Sequence, residues 1–205
     1  MSAIIINLTP DFAHIATDTL VVGGAPLAPV GFTLKAKPWE RMSMIVAGTG
    51  LFGFSDHWLT WADSNLHGMS DIDDVDLTMT TVLSEMYKGV SGSTTVYLFG
   101  VGSDGQMKGF SYSSDLAFVS KPISYGQSVK PTAGPEPDPD SFRDLVQVMK
   151  VQRELQEAKP LDKRLHIGGE IRVLALDIDG AFSHEVAYEF EDYQELIKHI
   201  PAEMI

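Results

Sequence analysis

Ser2-Ala3-Ile4-Ile5-Ile6-Asn7-Leu8, Thr9-Pro10-Asp11 and Phe12-Ala13-His14-Ile15-Ala16-Thr17-Asp18 follow one another at the start of the chain. How this stretch is read decides the fold. Ile4 to Leu8 is apolar and β-branched, the composition of a buried strand. Thr9-Pro10-Asp11 is a turn, and Phe12 to Thr17 alternates as the returning partner of a hairpin that ends in the carboxylate of Asp18. Beyond it come Lys35 and Lys37, then a buried strand from Met42 to Ala47 running into the glycine turn Gly48-Thr49-Gly50. A hydroxyl at a freed amino terminus, an acid one hairpin away and a lysine on a following strand form a candidate catalytic set.

Working outward, Val21 to Val30 carries Gly23-Gly24, Pro26 and Pro29 and reads as a loop. Gly31 to Lys35 reads as a short strand, which Pro38 keeps from continuing through the middle of a sheet. Phe54, Trp58, Trp61 and Ala62 have helical spacing and predict a helix over Leu51 to Leu66. Asp71, Asp73, Asp74 and Asp76 precede a second helix, Leu77 to Lys88, as a solvated start at its positive end. Thr94 to Gly100, a Ser103-Asp104-Gly105 turn and Gln106 to Ser113 form a hairpin, with Leu116 to Ser120 a third strand beside it. Gln127 to Asp140 contains four prolines and reads as a long loop. Ser141 caps a helix that Pro160 ends, with Phe142, Leu145, Val148, Met149 and Leu155 on one stripe. Ile171 to Ile178, the Asp179-Gly180 turn and Phe182 to Phe190 make a last hairpin, before a short helix from Glu191 to His199.

The chain has 205 residues, enough for one domain, 1–205, with a substantial core. Its formal charge of −13 argues against nucleic acid, because phosphate contacts need clustered Lys and Arg, and against anionic membrane surfaces. There is no cysteine, so disulfides and thiolate chemistry are excluded. No leader pattern opens the sequence and no apolar run reaches the ~18 residues of a membrane span, so a cytoplasmic location is the default expectation.

The order Ser2, Thr17-Asp18, Lys35, Ala47-Gly48 resembles the N-terminal-nucleophile (Ntn) hydrolases, specifically the proteasome β-subunits and the HslV-type bacterial ring proteases. The resemblance implies an α+β fold in the form of a four-layer αββα sandwich, two antiparallel sheets between helix layers. It also implies a homo-oligomer, in the family's case a ring, a peptide or small amide substrate, no cofactor, and by analogy an ATPase partner. It assigns Ser2 as nucleophile once Met1 is removed, Asp18 and Lys35 as supporting residues with Lys37 the alternative lysine, and the Gly48 N–H as donor to the oxyanion. An α-amine with a pKa near ~8 can serve as the attached general base. Two family features are not matched: Arg164-Leu165-His166-Ile167-Gly168-Gly169 lacks the Asp and Ser that precede the late Gly-Gly strand, and Ser124-Tyr125-Gly126-Gln127-Ser128 only approximates a Gly-Ser-Gly turn. The alternative expectation is therefore a catalytically inactive scaffold or binding module of the same fold.

Other motifs read as structure. Gly100-Val101-Gly102-Ser103-Asp104-Gly105 fits GxGxxG, but a strand and not a helix follows it. Asp177-Ile178-Asp179-Gly180 lacks the further ligands of a calcium loop. Ser55-Asp56-His57 are helix neighbours pointing in different directions. The six histidines show no metal-ligand spacing. Trp58 and Trp61 read as core or subunit contacts.

Overall fold

The computed structural model describes residues 3–24, 27–132 and 144–200. Ser2, Ser141, Phe142 and the prolines at 135, 137 and 139 lie outside the described residues. The elements in order are β1 (Ile4–Leu8), β2 (Phe12–Asp18), β3 (Leu20–Gly23), β4 (Ala28–Phe32), β5 (Ala36–Trp39), β6 (Met44–Thr49), α1 (Phe54–Asn65), α2 (Ile72–Met86), β7 (Thr95–Val101), β8 (Met107–Ser113), β9 (Lys121–Pro122), β10 (Gly126–Lys130), α3 (Leu145–Glu157), β11 (Glu170–Asp177), β12 (Phe182–Glu189) and α4 (Tyr193–Ile197). Among the described residues the chain is α+β, with four α-helices and three antiparallel sheets, ordered β10-β1-β2-β11-β12, β3-β4 and β5-β6-β7-β8-β9.

The opening hairpin forms because Thr9 closes it locally. Its N–H donates to the Phe12 carbonyl at 2.9 Å, and its hydroxyl accepts from the Asp11 and Phe12 amides. Alternation then divides the side chains of β1 between two cores. Ile4, Ile6 and Leu8 join Ile15, Ile45, Ala47 and Phe99 in the space between the two five-stranded sheets. Ala3 and Ile5 face outward, where Val148 and Met149 of α3 cover them. On the far side of the β5–β9 sheet, Trp58, Met79 and Leu83 of α1 and α2 pack on Val46, Leu98 and Tyr112. Each fully buried aliphatic or aromatic side chain here contributes on the order of 1.5–3 kcal/mol.

Several expectations change on contact with tertiary structure. Leu20 to Phe32 is mostly not loop but a two-stranded ribbon, β3–β4. Gly126 to Lys130 is not loop but β10, paired along its whole length with β1. Pro38 sits inside β5, which is tolerated because β5 is an edge strand. No strand forms over the expected Leu116 to Ser120; a 3₁₀ turn occupies Ser114–Leu116, and the two-residue β9 at Lys121–Pro122 pairs with β8 instead.

The acidic run does start the second helix, but as its cap and first turn and only partly solvated. Asp71 caps α2 by accepting from the Asp74 amide, and the helix begins at Ile72. Asp73 accepts from Ser103 and Lys108, and Asp76 from the Tyr112 and Ser120 hydroxyls. The run thereby stitches α2 to the sheet beneath it. Trp58 is fully buried, packed edge-to-face on Trp39, as a core residue.

Candidate active site

The last residue of β2 is the centre of the site. Asp18 is completely buried, and its carboxylate accepts from three directions: the Ala3 N–H at 3.1 Å, the Lys35 ammonium at 2.7 Å and the Gly168 N–H at 3.3 Å. Ala3, just before β1, Lys35, just before β5, and the turn before β11 are thereby gathered on one carboxylate. The turn can close so tightly because residue 169 has no side chain. Gly169 sits at φ +77°, and a Cβ there would meet the Thr19 hydroxyl and the Phe32 ring.

Lys35 is nearly as buried as its partner. Its ammonium also donates to the Leu20 carbonyl at 2.8 Å, which uses two of its three N–H groups. Burial pushes this amine below the ordinary lysine value, against the opposing charge and hydrogen bond of Asp18. Lys37 is placed elsewhere. Two residues along β5 it pairs with Asp56 of α1 at 2.7 Å, with both side chains about a third exposed. Of the two candidate lysines, the structure brings only Lys35 to Asp18.

Beside Lys35 lies a cavity of about 250 Å³, lined by Leu20, Val21, Thr33, Lys35, Gly48 and Ser55 among others. Gly48 is at its wall, but its N–H donates to the Lys35 carbonyl at 2.9 Å. The expected donation from Gly48 to an oxyanion therefore needs that bond to open. What demands glycine at 48 is packing: a Cβ there would run into the Ser55 side chain at the start of α1.

The expected Gly-Ser-Gly equivalent is displaced. In the β1–β10 pairing Gly126 stands opposite Leu8 and Lys130 opposite Ile4. Ser124 and Tyr125 thus fall at the far end, and the end nearest Asp18 carries Lys130 and Pro131. Sequence reasoning missed two polar side chains near this end. Lys130 donates to the Thr95 hydroxyl at 3.2 Å. Gln152 of α3 is fully buried; its amide nitrogen is fixed on the Pro131 carbonyl, while its oxygen has no partner among the described residues. The helical stripe containing Val148 and Met149 would have found Gln152 as a buried position, though not as an orphaned acceptor.

Arg164 and His166 lie in the stretch before Gly168-Gly169 that carries no Asp or Ser. The Arg164 guanidinium donates to the Glu157 and Lys159 carbonyls. Burial, with the Arg164 charge second, lowers the His166 imidazole below its usual value. Among the described residues no cluster of three or more His, Asp or Glu could hold a metal, and no helix is long and apolar enough to cross a membrane.

No family model matches the chain, and no curated protein matches it. Solved structures do. An Anbu (Gly-1) mutant from Hyphomicrobium sp. strain MC1 superposes with a TM-score of 0.69 at 9% identity, covering 97% of this chain and 94% of that one. Anbu (ancestral beta-subunit) from Yersinia bercovieri gives 0.65 at 10% identity, covering 97% and 93%. At such identities the likeness establishes the fold. The expected branch is corrected: both of these similar structures are named Anbu, and neither is named a proteasome β-subunit or an HslV-type ring protease.

Proposed function

We propose that this chain is an N-terminal-nucleophile amide or peptide hydrolase in which removal of Met1 frees Ser2 as nucleophile. The observation that carries the reading is the Asp18 node. A buried carboxylate holds the Ala3 amide, one covalent link from residue 2, together with the Lys35 ammonium at the edge of a cavity. In the reaction the Ser2 hydroxyl attacks the substrate carbonyl carbon and its proton passes to the α-amine. The amine returns that proton to the departing nitrogen, leaving an ester on Ser2. Water then cleaves the ester, releasing the acid. Lys35 favours the alkoxide electrostatically and keeps the α-amine neutral, and Asp18 positions Lys35.

The reading extends to architecture. The three separate cores, helix on sheet, sheet on sheet and sheet on helix, support a four-layer αββα sandwich spanning 1–205 as one domain. Self-association belongs to the same proposal and is tested by sedimentation velocity. The test of the chemistry is intact-mass analysis of the protein from its own host, followed by a peptide and acyl-amide panel on wild type, Ser2→Ala and Lys35→Ala. We expect loss of Met1, and at least a hundredfold loss of turnover in both variants. A retained Met1, or full activity in Ser2→Ala, overturns the proposal.

A second reading, a non-catalytic binding module on the same fold, is favoured by one specific observation. The Gly48 N–H is engaged by the Lys35 carbonyl rather than facing the cavity. Absence of turnover across the panel, with Met1 removed and the protein folded, would select it.

A further inference from the structure

The outermost strands β9 and β10 leave the gap between the two large sheets open at one edge. A cavity of about 300 Å³ lies there, separate from the one beside Lys35. Its apolar wall is Ile4, Ile6 and Ile123, and its hydroxyls include Ser111 and Ser128. Lys130 reaches it for a reason of register. On neighbouring antiparallel strands directly opposed residues share a face. Lys130 stands opposite Ile4 and Ser128 opposite Ile6, so both side chains lie on the intersheet face.

The Lys130 ammonium donates to the Thr95 hydroxyl, and no ion pair holds it among the described residues. Partial desolvation lowers the proton affinity of this exposed lysine, opposed by the charge of Asp115. Lys35, Lys37, Lys88, Lys108 and Lys198 each pair with a carboxylate; Lys130 is among the lysines that do not, and it lines the cleft between the sheets. Lys130 is exposed at the mouth of this cleft, so its ammonium, which donates to a neutral hydroxyl and otherwise faces water, is accessible to an anion.

We propose that this cleft binds a small carboxylate with a short apolar chain. The carboxylate meets Lys130 beside the serine hydroxyls, and the chain lies on Ile4, Ile6 and Ile123. One lysine matches one negative charge, which favours a carboxylate over a phosphate dianion. The volume is at the low end for ligand sites, which favours a small molecule over a cofactor. The inference does not depend on Ser2 chemistry.

Hexanoate is the probe, titrated by ligand-observed NMR against the full chain, with 1-hexanol and hexylamine as matched controls. The expected result is saturable hexanoate binding, much weaker hexanol binding and none for hexylamine. Replacing the charged partner, Lys130→Met, weakens hexanoate by about tenfold or more, whereas Lys130→Arg retains it. Ser128→Leu fills the cavity and blocks hexanoate while leaving Lys130 in place. Melting curves establish that each variant is folded, and Ser2→Ala binds hexanoate as wild type does, which separates this site from the proposed hydrolase. No saturable hexanoate binding, or equal binding by Lys130→Met, overturns the proposal.

Discussion

Lys35 and Lys37 stand two residues apart, and each pairs with an aspartate at 2.7 Å, yet the two pairs do different work. Lys37–Asp56 bridges β5 to α1 in partial contact with water, where attraction between the charges is screened and side-chain ordering offsets most of it. Lys35–Asp18 is sealed from water, and the aspartate also accepts from the Ala3 and Gly168 amides. Equal distance therefore says little about function. Burial and the count of further hydrogen bonds decide which pair organises its surroundings, because removing one partner there strands a desolvated charge.

The strongest way to break this comparison is Asp18→Ala. It leaves the Lys35 ammonium buried with only the Leu20 carbonyl, and we expect a loss of about 3–5 kcal/mol in urea unfolding. A loss under 1 kcal/mol would show that the node is no more than a surface pair. Next in size is Gly48→Ala. The added methyl overlaps Ser55, and overpacking of this kind costs about 1–3 kcal/mol. Ser55→Gly in the same chain should restore most of it, which identifies packing as the reason for glycine at 48.

A third pair lies between the extremes. Arg153 holds Asp192 through two bonds of 2.9 and 2.7 Å, with the carboxylate more than a third exposed. The Arg153 hydrogen bonds hold the Asp192 carboxyl below the usual range. Its stabilising effect is therefore full above the ordinary carboxylate pKa and lost as pH falls through the lowered folded value. Asp192→Asn should flatten the acid limb of the stability–pH curve by less than about 1 kcal/mol, given its exposure. Smallest is Asp56→Asn, which removes the Lys37 pair at a cost of about 0.2–1 kcal/mol that shrinks further in high salt. A cost for Asp56→Asn equal to that of Asp18→Ala would end the distinction between the two pairs.

Much of the fold was legible wherever local periodicity and the final burial pattern agree. β1, β2, α1, β7, β8 and β11 fall close to where alternation or helical spacing puts them. The misses share one cause. β10 and the β3–β4 ribbon are rich in glycine, proline and polar residues, and Gly126-Gln127-Ser128-Val129-Lys130 has little strand signal of its own. It is a strand because β1 presents an unpaired edge to it. The acidic run at the start of α2 was read as more solvated than it is for the mirror-image reason: charges that look solvated along the chain find donors in β8 across space.

The sequence by itself determined the opening hairpin, the acid at its end and the lysine and glycine that follow, because hydrophobic alternation and turn chemistry act over a few residues. Tertiary structure alone decided that Lys35 and not Lys37 meets Asp18, that the Gly48 amide is already engaged, and that Lys130 enters the gap between the sheets. Those outcomes depend on strand register and on which groups lose water together. Both are properties of elements distant along the chain, and no local pattern encodes them.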